Sequence, residues 1–312
     1  MSLLGVVTNP AAASGRGAAP GAQASATLAA HGHQVIDLTR TTWREAHDAA
    51  KAVASDLDAL VVVGGDGMVH LGLQVCGDRS LPLGIVAAGS GNDFAATLGL
   101  PVRDVEAAVR IVHDSLENQA SRLTIDLGVA TNGADGGAPR SRYFAGVLSA
   151  GIDAAIAARG MRMRFPRGTS KYKVAIGLEL PHFRPYGARL TVDGHAWKDD
   201  RYTLVAVANG TTIGGGIPLS PSSDLRDGFL EVITADALTL PQIAAILPRL
   251  QRGTHLDHPA VHITRATSVE LASAPGGAPL PAASADGEIL GPAPWTVRCA
   301  PGALHVLAPP RD

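Results

Sequence analysis

The stretch Asp58–Cys76, DALVVVGGDGMVHLGLQVC, runs from an apolar segment into three glycines set around one aspartate, then into a second apolar segment. Val61 to Val63 reads as the end of a buried strand, and Met68 to Cys76 as the helix after it. Between them lies the turn Gly64-Gly65-Asp66-Gly67. Glycine accepts backbone conformations that other residues resist and lets a ligand reach the main chain. A strand passing through such a turn into a helix N-terminus presents N–H groups to phosphate, and a neighbouring carboxylate suits the cation that phosphate brings. The chain has neither Gly-Lys-Ser/Thr nor the spacing of the dinucleotide fingerprint here, so P-loop and Rossmann dehydrogenase readings are excluded.

A second turn of the same kind follows in GIVAAGSGNDFAATLGLP, where Leu83–Ala87 is the strand, Gly89-Ser90-Gly91 breaks it and Asn92-Asp93 opens a helix. In a parallel sheet both turns open at the carboxyl ends of their strands, where α/β proteins bind ligands. The plainer alternative is that Asp66, Asn92 and Asp93 only cap helices. Leu4–Thr8 and Gln34–Leu38 complete a set of short apolar strands, and GAQASATLAAHG, TTWREAHDAAKAVASDL and Val105–His113 are helical, the second with Thr42 as its cap. This alternation predicts an N-terminal three-layer α/β domain with a parallel sheet over residues 1–123.

After Leu123 the rhythm becomes strand and turn: RLTIDLGVA, SRYFAGVLSAG, GARLTVDGHAW, YTLVAVANG, FLEVITA, AVHITRATSVEL and WTVRCAPGALHVLAP. Ala130–Arg140 and the segment from Ser273 read as loops, and LTLPQIAAILPRLQRG as the one clear helix. The expectation is a mainly β, sandwich-like domain over 124–299, residues 300–312 packing back on the first domain, and an active site in the interdomain cleft.

The 312 residues are 46% hydrophobic and 17% charged, enough for a full core, and a formal charge of -2 gives no footprint for nucleic acid. Cys76 and Cys299 lack metal-site spacing and fit a reducing cytoplasm. No signal peptide or membrane span is expected.

With these motifs in view, the chain resembles the diacylglycerol kinase catalytic family, which includes bacterial soluble lipid kinases and is related to sphingosine kinases and, more distantly, NAD kinases. The resemblance runs through TNPAAASGRG from Thr8, VVVGGDGMV, AAGSGNDFA, VANGTTIGGGIPLSPSSDLRDGFLEV and SADGEIL. It implies an ATP-dependent kinase that uses Mg²⁺ and phosphorylates a lipid hydroxyl, with diacylglycerol giving phosphatidic acid. The nucleotide would meet Asn9, Thr42, Gly64, Gly65, Asp66, Gly67, Met68, Gly89, Ser90 and Asn92, with Arg16 in the loop beyond Asn9. Asp286 would be the general base, assisted by Glu288, although Asp286-Gly287 alone reads as an ordinary hairpin turn. Asp224, Asp227 and the carbonyl of Phe229 would hold a structural magnesium; by spacing alone they read as a solvated acidic turn.

The chain departs from the family where threonine usually follows Gly-Asp-Gly and Asn-Glu stands two places on: it has Met68, then His70-Leu71. That keeps a nucleotide- and lipid-binding regulatory protein as an alternative, beside an NAD kinase-like enzyme. The basic and apolar segment MRMRFPRGTSKYKVAIGLEL is read either as a surface for an anionic membrane or as a basic loop leading into a core helix. The implied location is the cytoplasm, transiently at the inner face of the membrane. Diacylglycerol, monoacylglycerol, a sphingoid base and a polyprenol-like alcohol all offer the required hydroxyl, and an edge of the β domain is open to pairing in a homodimer.

Overall fold

The computed structural model describes residues 1–9, 18–77, 79–118, 122–132, 140–163, 165 and 169–309. Most of the Thr8–Gly17 motif, Arg16 included, lies outside them. The chain divides into two units, Met1–Leu127 with Ala300–Asp312, and Gly128–Cys299.

In the first unit, β1 (Leu3–Thr8), α1 (Ala18–Ala30), β2 (Gln34–Asp37), α2 (Trp43–Val53), β3 (Ala59–Gly64), α3 (Asp66–Cys76), β4 (Leu83–Ala87), α4 (Asp93–Thr97) and α5 (Val105–Glu117) alternate along the chain. Strands β2, β1, β3 and β4 lie side by side in that order, all parallel, with Leu4 opposite Ala59 and Leu60 opposite Leu83. The late strand β15 (Trp295–Leu307) extends the ladder, pairing Val306 with Leu83 in parallel. Every residue of β3 and β4 is buried, as expected of strands covered on both faces.

One face carries Leu4, Val6, Val61, Val63 and Val86 against Leu28 of α1 and Val109 and Val112 of α5. The other receives α3, whose Gly72 lies so close to the sheet that a Cβ there would come within 2.6 Å of Leu83 Cδ1. These are the three layers. Helix α3 is apolar on nearly every side and correspondingly buried, from Met68 through Cys76 with Gln74 the exception. Thr42 forms a capping box with Glu45, its hydroxyl accepting from the Glu45 N–H at 3.2 Å while the Glu45 carboxylate accepts from the Thr42 N–H at 3.1 Å.

The chain enters the second unit along β5 (Arg122–Asn132). There follow β6 (Arg140–Phe144), β7 (Val147–Ser149), α6 (Ile152–Arg162), α7 (Thr169–Glu179), β8 (Tyr186–Val192), β9 (His195–Ala208), β10 (Leu230–Asp236), α8 (Leu240–Gln251), β11 (Val261–Ala266), β12 (Ser268–Ser273), β13 (Ala283–Ala285) and β14 (Glu288–Gly291). Pairing here is antiparallel, in the order β14, β13, β7, β9, β8, β12, with β10 between β9 and β11. Strand β9 shows the strand period of two: Val205 and Val207 enter a cluster with Phe144, Leu148, Tyr202 and Trp295, whereas Ala206 and Ala208 enter another with Ile233, Leu238 and Ile243. A sheet covered on both faces in this way is sandwich-like.

Local expectations change at several points: SRYFAGVLSAG is two strands, β6 and β7, and AVHITRATSVEL is also two, β11 and β12. The loop expected from Ala130 to Arg140 starts later, because β5 continues to Asn132, paired with Arg140 of β6. GARLTVDGHAW is two strands, turned at Asp193-Gly194 with φ of 48° and 78°, the left-handed pair of a tight hairpin. Helix α8 is not alone in its half: α6 and α7 pack together, Gly160 of α6 lying opposite Ala175 of α7. No helix among the described residues is long and apolar enough to cross a membrane.

Candidate functional site

The two glycine turns of the first unit interlock. A Cβ on Gly89 would lie 2.3 Å from Gly65 Cα and 2.7 Å from Gly65 N, so main chain meets main chain at this point. Asn92 sits at φ 70° with its side chain buried beneath the second turn. Its Oδ1 accepts from the Gly89 N–H and its Nδ2 donates to the Gly89 carbonyl, each at 2.9 Å. Asp66 reaches across from the first turn, its Oδ2 accepting from the Asn92 N–H at 2.9 Å and its Oδ1 from the Phe94 N–H at 3.4 Å. The Asp66 carboxylate therefore caps α4 from a distance, the task a local side chain usually performs.

Gly65 caps α3 without a side-chain hydrogen bond, and of the first-turn N–H groups that of Met68 donates to the Gly65 carbonyl at 2.9 Å. Gly64 has φ 155°, and a Cβ there would meet Met68 Cγ at 2.6 Å. Met68 is folded back under the turn and Leu71 is wholly buried, so two of the chain's three departures from the family pattern serve packing. Asn9 follows β1, its N–H donating to Val63 O at 3.4 Å. Thr42 has its hydroxyl engaged as the cap of α2. Ser90 is exposed.

Two residues of this site carried no sequence signal. Arg103, at φ 61°, donates to the carbonyls of Gly89 and Ser90 at 3.4 and 3.3 Å. Trp43 donates from Nε1 to the Gly67 carbonyl at 3.4 Å. Neither belongs to a motif; a large aromatic directly after a capping threonine is the nearest thing to a clue.

In the second unit, Asp286 and Gly287 form the two-residue turn between β13 and β14, with φ of 50° and 82°. The Asp286 carboxylate is clamped by main chain, accepting from the Ala145 N–H at 2.8 Å and the Gly146 N–H at 2.9 Å. Gly146 lies against it: a Cβ there would be 2.7 Å from Asp286 Oδ1. Glu288 opens β14, and partial burial pushes its carboxyl above the usual range.

That shift has a sign for stability. A carboxyl raised in the folded state binds its proton more tightly there, so its contribution is intact below its ordinary value of 4.5 and is lost as pH rises through the raised folded value. The Glu288→Gln variant is expected to be more stable than the parent at neutral pH. Its advantage should grow as pH rises from 4.5 and then level off; a melting-temperature difference that does not change with pH would contradict this.

Asp224, Asp227 and Phe229 lie in the same turn region of the second unit, where three of the four carboxylate oxygens have partners. Asp224 Oδ1 accepts from the Arg226 N–H at 3.0 Å. Asp227 Oδ1 accepts from the Phe229 N–H at 2.9 Å, and its Oδ2 is paired with the Arg265 guanidinium. Arg265 also faces Glu231 at 3.6 Å and covers the Phe229 ring at 4.3 Å from its centroid. Burial raises the Glu231 carboxyl, opposed by Arg265. Among the described residues no group of three or more His, Cys, Asp or Glu side chains is arranged to hold a metal. The set expected for magnesium is not one of side chains alone but two carboxylates and the Phe229 carbonyl; in this structure the positive charge beside Asp227 is that of Arg265.

Comparison with known proteins agrees with this layout. The model of the diacylglycerol kinase catalytic domain matches residues 4–125, and that of the YegS C-terminal NAD kinase beta sandwich-like domain matches residues 146–308. A diacylglycerol kinase of Mycobacterium tuberculosis (strain ATCC 25618 / H37Rv) is 36% identical over 307 residues, covering 97% of this chain and 94% of that protein. One from Bacillus subtilis (strain 168) is 27% identical over 231 residues, covering 72% and 70%. Among solved structures, a diacylglycerol kinase from Bacillus anthracis str. Sterne has a TM-score of 0.69 at 19% identity, covering 99% of this chain and 97% of that one. An NAD kinase from Archaeoglobus fulgidus in complex with ATP has a TM-score of 0.53 at 11% identity, covering 98% and 94%; at such identities the likeness is one of fold. The sequence match over nearly the whole chain, falling on both glycine turns and on the Asp286 hairpin, makes this chain a member of the diacylglycerol kinase family of lipid kinases.

Proposed function

We propose that the chain transfers the γ-phosphate of ATP to a lipid hydroxyl, that of diacylglycerol giving phosphatidic acid. The observation that carries this reading is the interlock of Gly65 with Gly89, which leaves two turns of bare main chain fixed at the carboxyl ends of neighbouring parallel strands. Such a surface receives phosphate oxygens on N–H groups that are already oriented.

The phosphates are assigned to residues 64–68 and 89–92. The acceptor oxygen bonds to the γ-phosphorus as the bond from that phosphorus to the bridging oxygen of ADP breaks, with attacking and leaving oxygens roughly in line. Asp286 takes the hydroxyl proton. Its two oxygens accept from the Ala145 and Gly146 N–H groups, which hold the carboxylate in one orientation. Glu288 is assigned a positioning role beside it. Magnesium arriving with ATP supplies charge that offsets that of the transferring group.

The acceptor resides in a bilayer. We assign contact with it to Met161, Phe165, Val174 and Leu178 of the α6–α7 region, large apolar side chains that are exposed, Phe165 to 82%. Arg159, just before the basic segment that starts at Met161, is paired with Glu179. Residues 164 and 166–168, and the side chains of 169–173, lie outside the described part of this face.

The test is transfer of labelled γ-phosphate, with Mg²⁺, to diacylglycerol, monoacylglycerol, a sphingoid base and a polyprenol in mixed anionic micelles, with NAD in parallel. Phosphatidic acid from diacylglycerol supports the proposal, and product from another lipid reassigns the acceptor. Phosphorylated NAD would overturn the lipid assignment. The packing role of Met68 and Leu71 favours one second reading, a nucleotide-binding protein with weakened transfer, which predicts ATP binding without product.

A further inference from the structure

Trp43 is one of three tryptophans in the chain and the first residue of α2. It is 39% exposed, an uncommon setting for a large aromatic in the opening turn of a helix that otherwise buries only alanines. The ring is nonetheless held firmly. Its Nε1 is tethered to the carbonyl of Gly67, within the phosphate turn, and its plane stacks on the His47 imidazole with centroids 5.2 Å apart and 6° between planes. On the side of α3 it meets His70 at 6.2 Å between centroids. His70 is buried and stands where the family pattern usually has asparagine. The exposed part of a rigid indole therefore borders the turn assigned to the phosphates, and an indole held in one orientation has little conformational freedom to lose when a flat ligand stacks on it.

We propose that Trp43 is the wall on which the nucleoside base of ATP stacks, and so separates ATP from bare polyphosphate at this turn. The inference rests on the assignment of the phosphates to Gly64–Met68. His47 and His70 position the ring. The base contributes a π face that indole accepts whatever its hydrogen-bonding edge, so the preference is for a nucleotide over a phosphate chain more than for one base over another.

The experiment is calorimetric titration of the full chain with Mg²⁺-ATP and with Mg²⁺-tripolyphosphate, which has no base. The parent is compared with Trp43→Phe, Trp43→Leu and Trp43→Ala, and tryptophan fluorescence is followed in the same titrations. The expected result is an ATP affinity lowered about tenfold or more in the Leu and Ala variants and largely retained in Phe, with tripolyphosphate affinity unchanged throughout. ATP should quench parent fluorescence more than it quenches that of the Ala variant, in which Trp197 and Trp295 remain. Equal weakening of both ligands would overturn the proposal, because Trp43 would then only brace Gly67. ATP binding that ignores all three substitutions would also overturn it, while leaving the phosphate site intact. A parent that binds neither ligand would sink the phosphate assignment and this inference together.

Discussion

Gly89→Ala is expected to remove measurable ATP binding and to lower the melting temperature sharply. The added methyl would stand 2.3 Å from Gly65 Cα, 2.7 Å from Gly65 N and 2.9 Å from Asn92 Oδ1. Two of these atoms are main chain, and the third belongs to a side chain held by hydrogen bonds to Gly89 itself. Nothing flexible is available to yield, so the turns must part. Overpacking in a tight interior costs about 1–3 kcal/mol where neighbours can shift, and this case belongs at or above the upper end. If most of it falls on the site, affinity drops by about a hundredfold. Gly91→Ala is the graded comparison: its methyl would meet no main chain but would press at 2.5 Å on Asp66 Oδ2, the acceptor of the Asn92 N–H, so a smaller loss is expected. Calorimetry and thermal melts on both variants check the claim; equal damage from the two would refute the argument from main-chain contact.

Asp286→Asn separates chemistry from architecture. Asparagine accepts the left-handed conformation at φ 50° and has nearly the shape of aspartate. It can still accept one N–H, from Ala145 or Gly146, but its amide NH₂ then faces the other donor, at a cost of about 1–3 kcal/mol. A general base contributes about 10²–10⁴ in rate, so phosphate transfer should fall by at least about a hundredfold in a protein that remains folded. Activity and melting temperature must be measured on the same preparation. Turnover that survives would dismiss Asp286 as the base. If turnover disappears only together with the folded state, the carboxylate is a clamp for Ala145 and Gly146 and the base lies elsewhere.

The parallel half of the fold was the more legible in sequence because its signals are local. Val61–Val63 and Leu83–Ala87 are unbroken apolar runs, as strands covered on both faces must be, and each ends in a glycine turn. Thr42 and Glu45 announce the start of α2 through the spacing of a capping box. In the other half, α6 was read through as part of a strand-rich stretch. The alanines of IDAAIAARGMR have good helix propensity but leave only a weak apolar stripe, and Gly160, which looks like a breaker, lies within the helix on the side packed against α7. That partner cannot be read from neighbours in sequence.

The candidate site divides along the same line. The glycines were legible as turns, but their contact with each other was not, since it depends on two segments more than twenty residues apart in the chain. Asp66 looked like a partner for a cation and proves to hold the second turn. By spacing Asp224 and Asp227 read as a solvated acidic turn, and the sequence does not bring into view the Arg265 that pairs with Asp227; it arrives on β11, paired with β10. Arg103 and Trp43 are ordinary residues by spacing and become part of the site only through the backbone that delivers them.

The pairing of Val306 with Leu83 has a consequence for synthesis. Leu304, Val306 and Leu307 are buried, and Leu307 belongs to the same apolar cluster as Leu4 and Val61. On the ribosome, β1 to β4 are made early, yet the strand that covers the open edge of β4 emerges only after the whole of residues 128–299. Until then the nascent first unit carries an unfinished parallel edge through the time needed to make more than half of the chain, the interval in which an exposed strand invites wrong partners. Its order of folding is therefore the reverse of its order of birth: the unit begun first is the one that must wait.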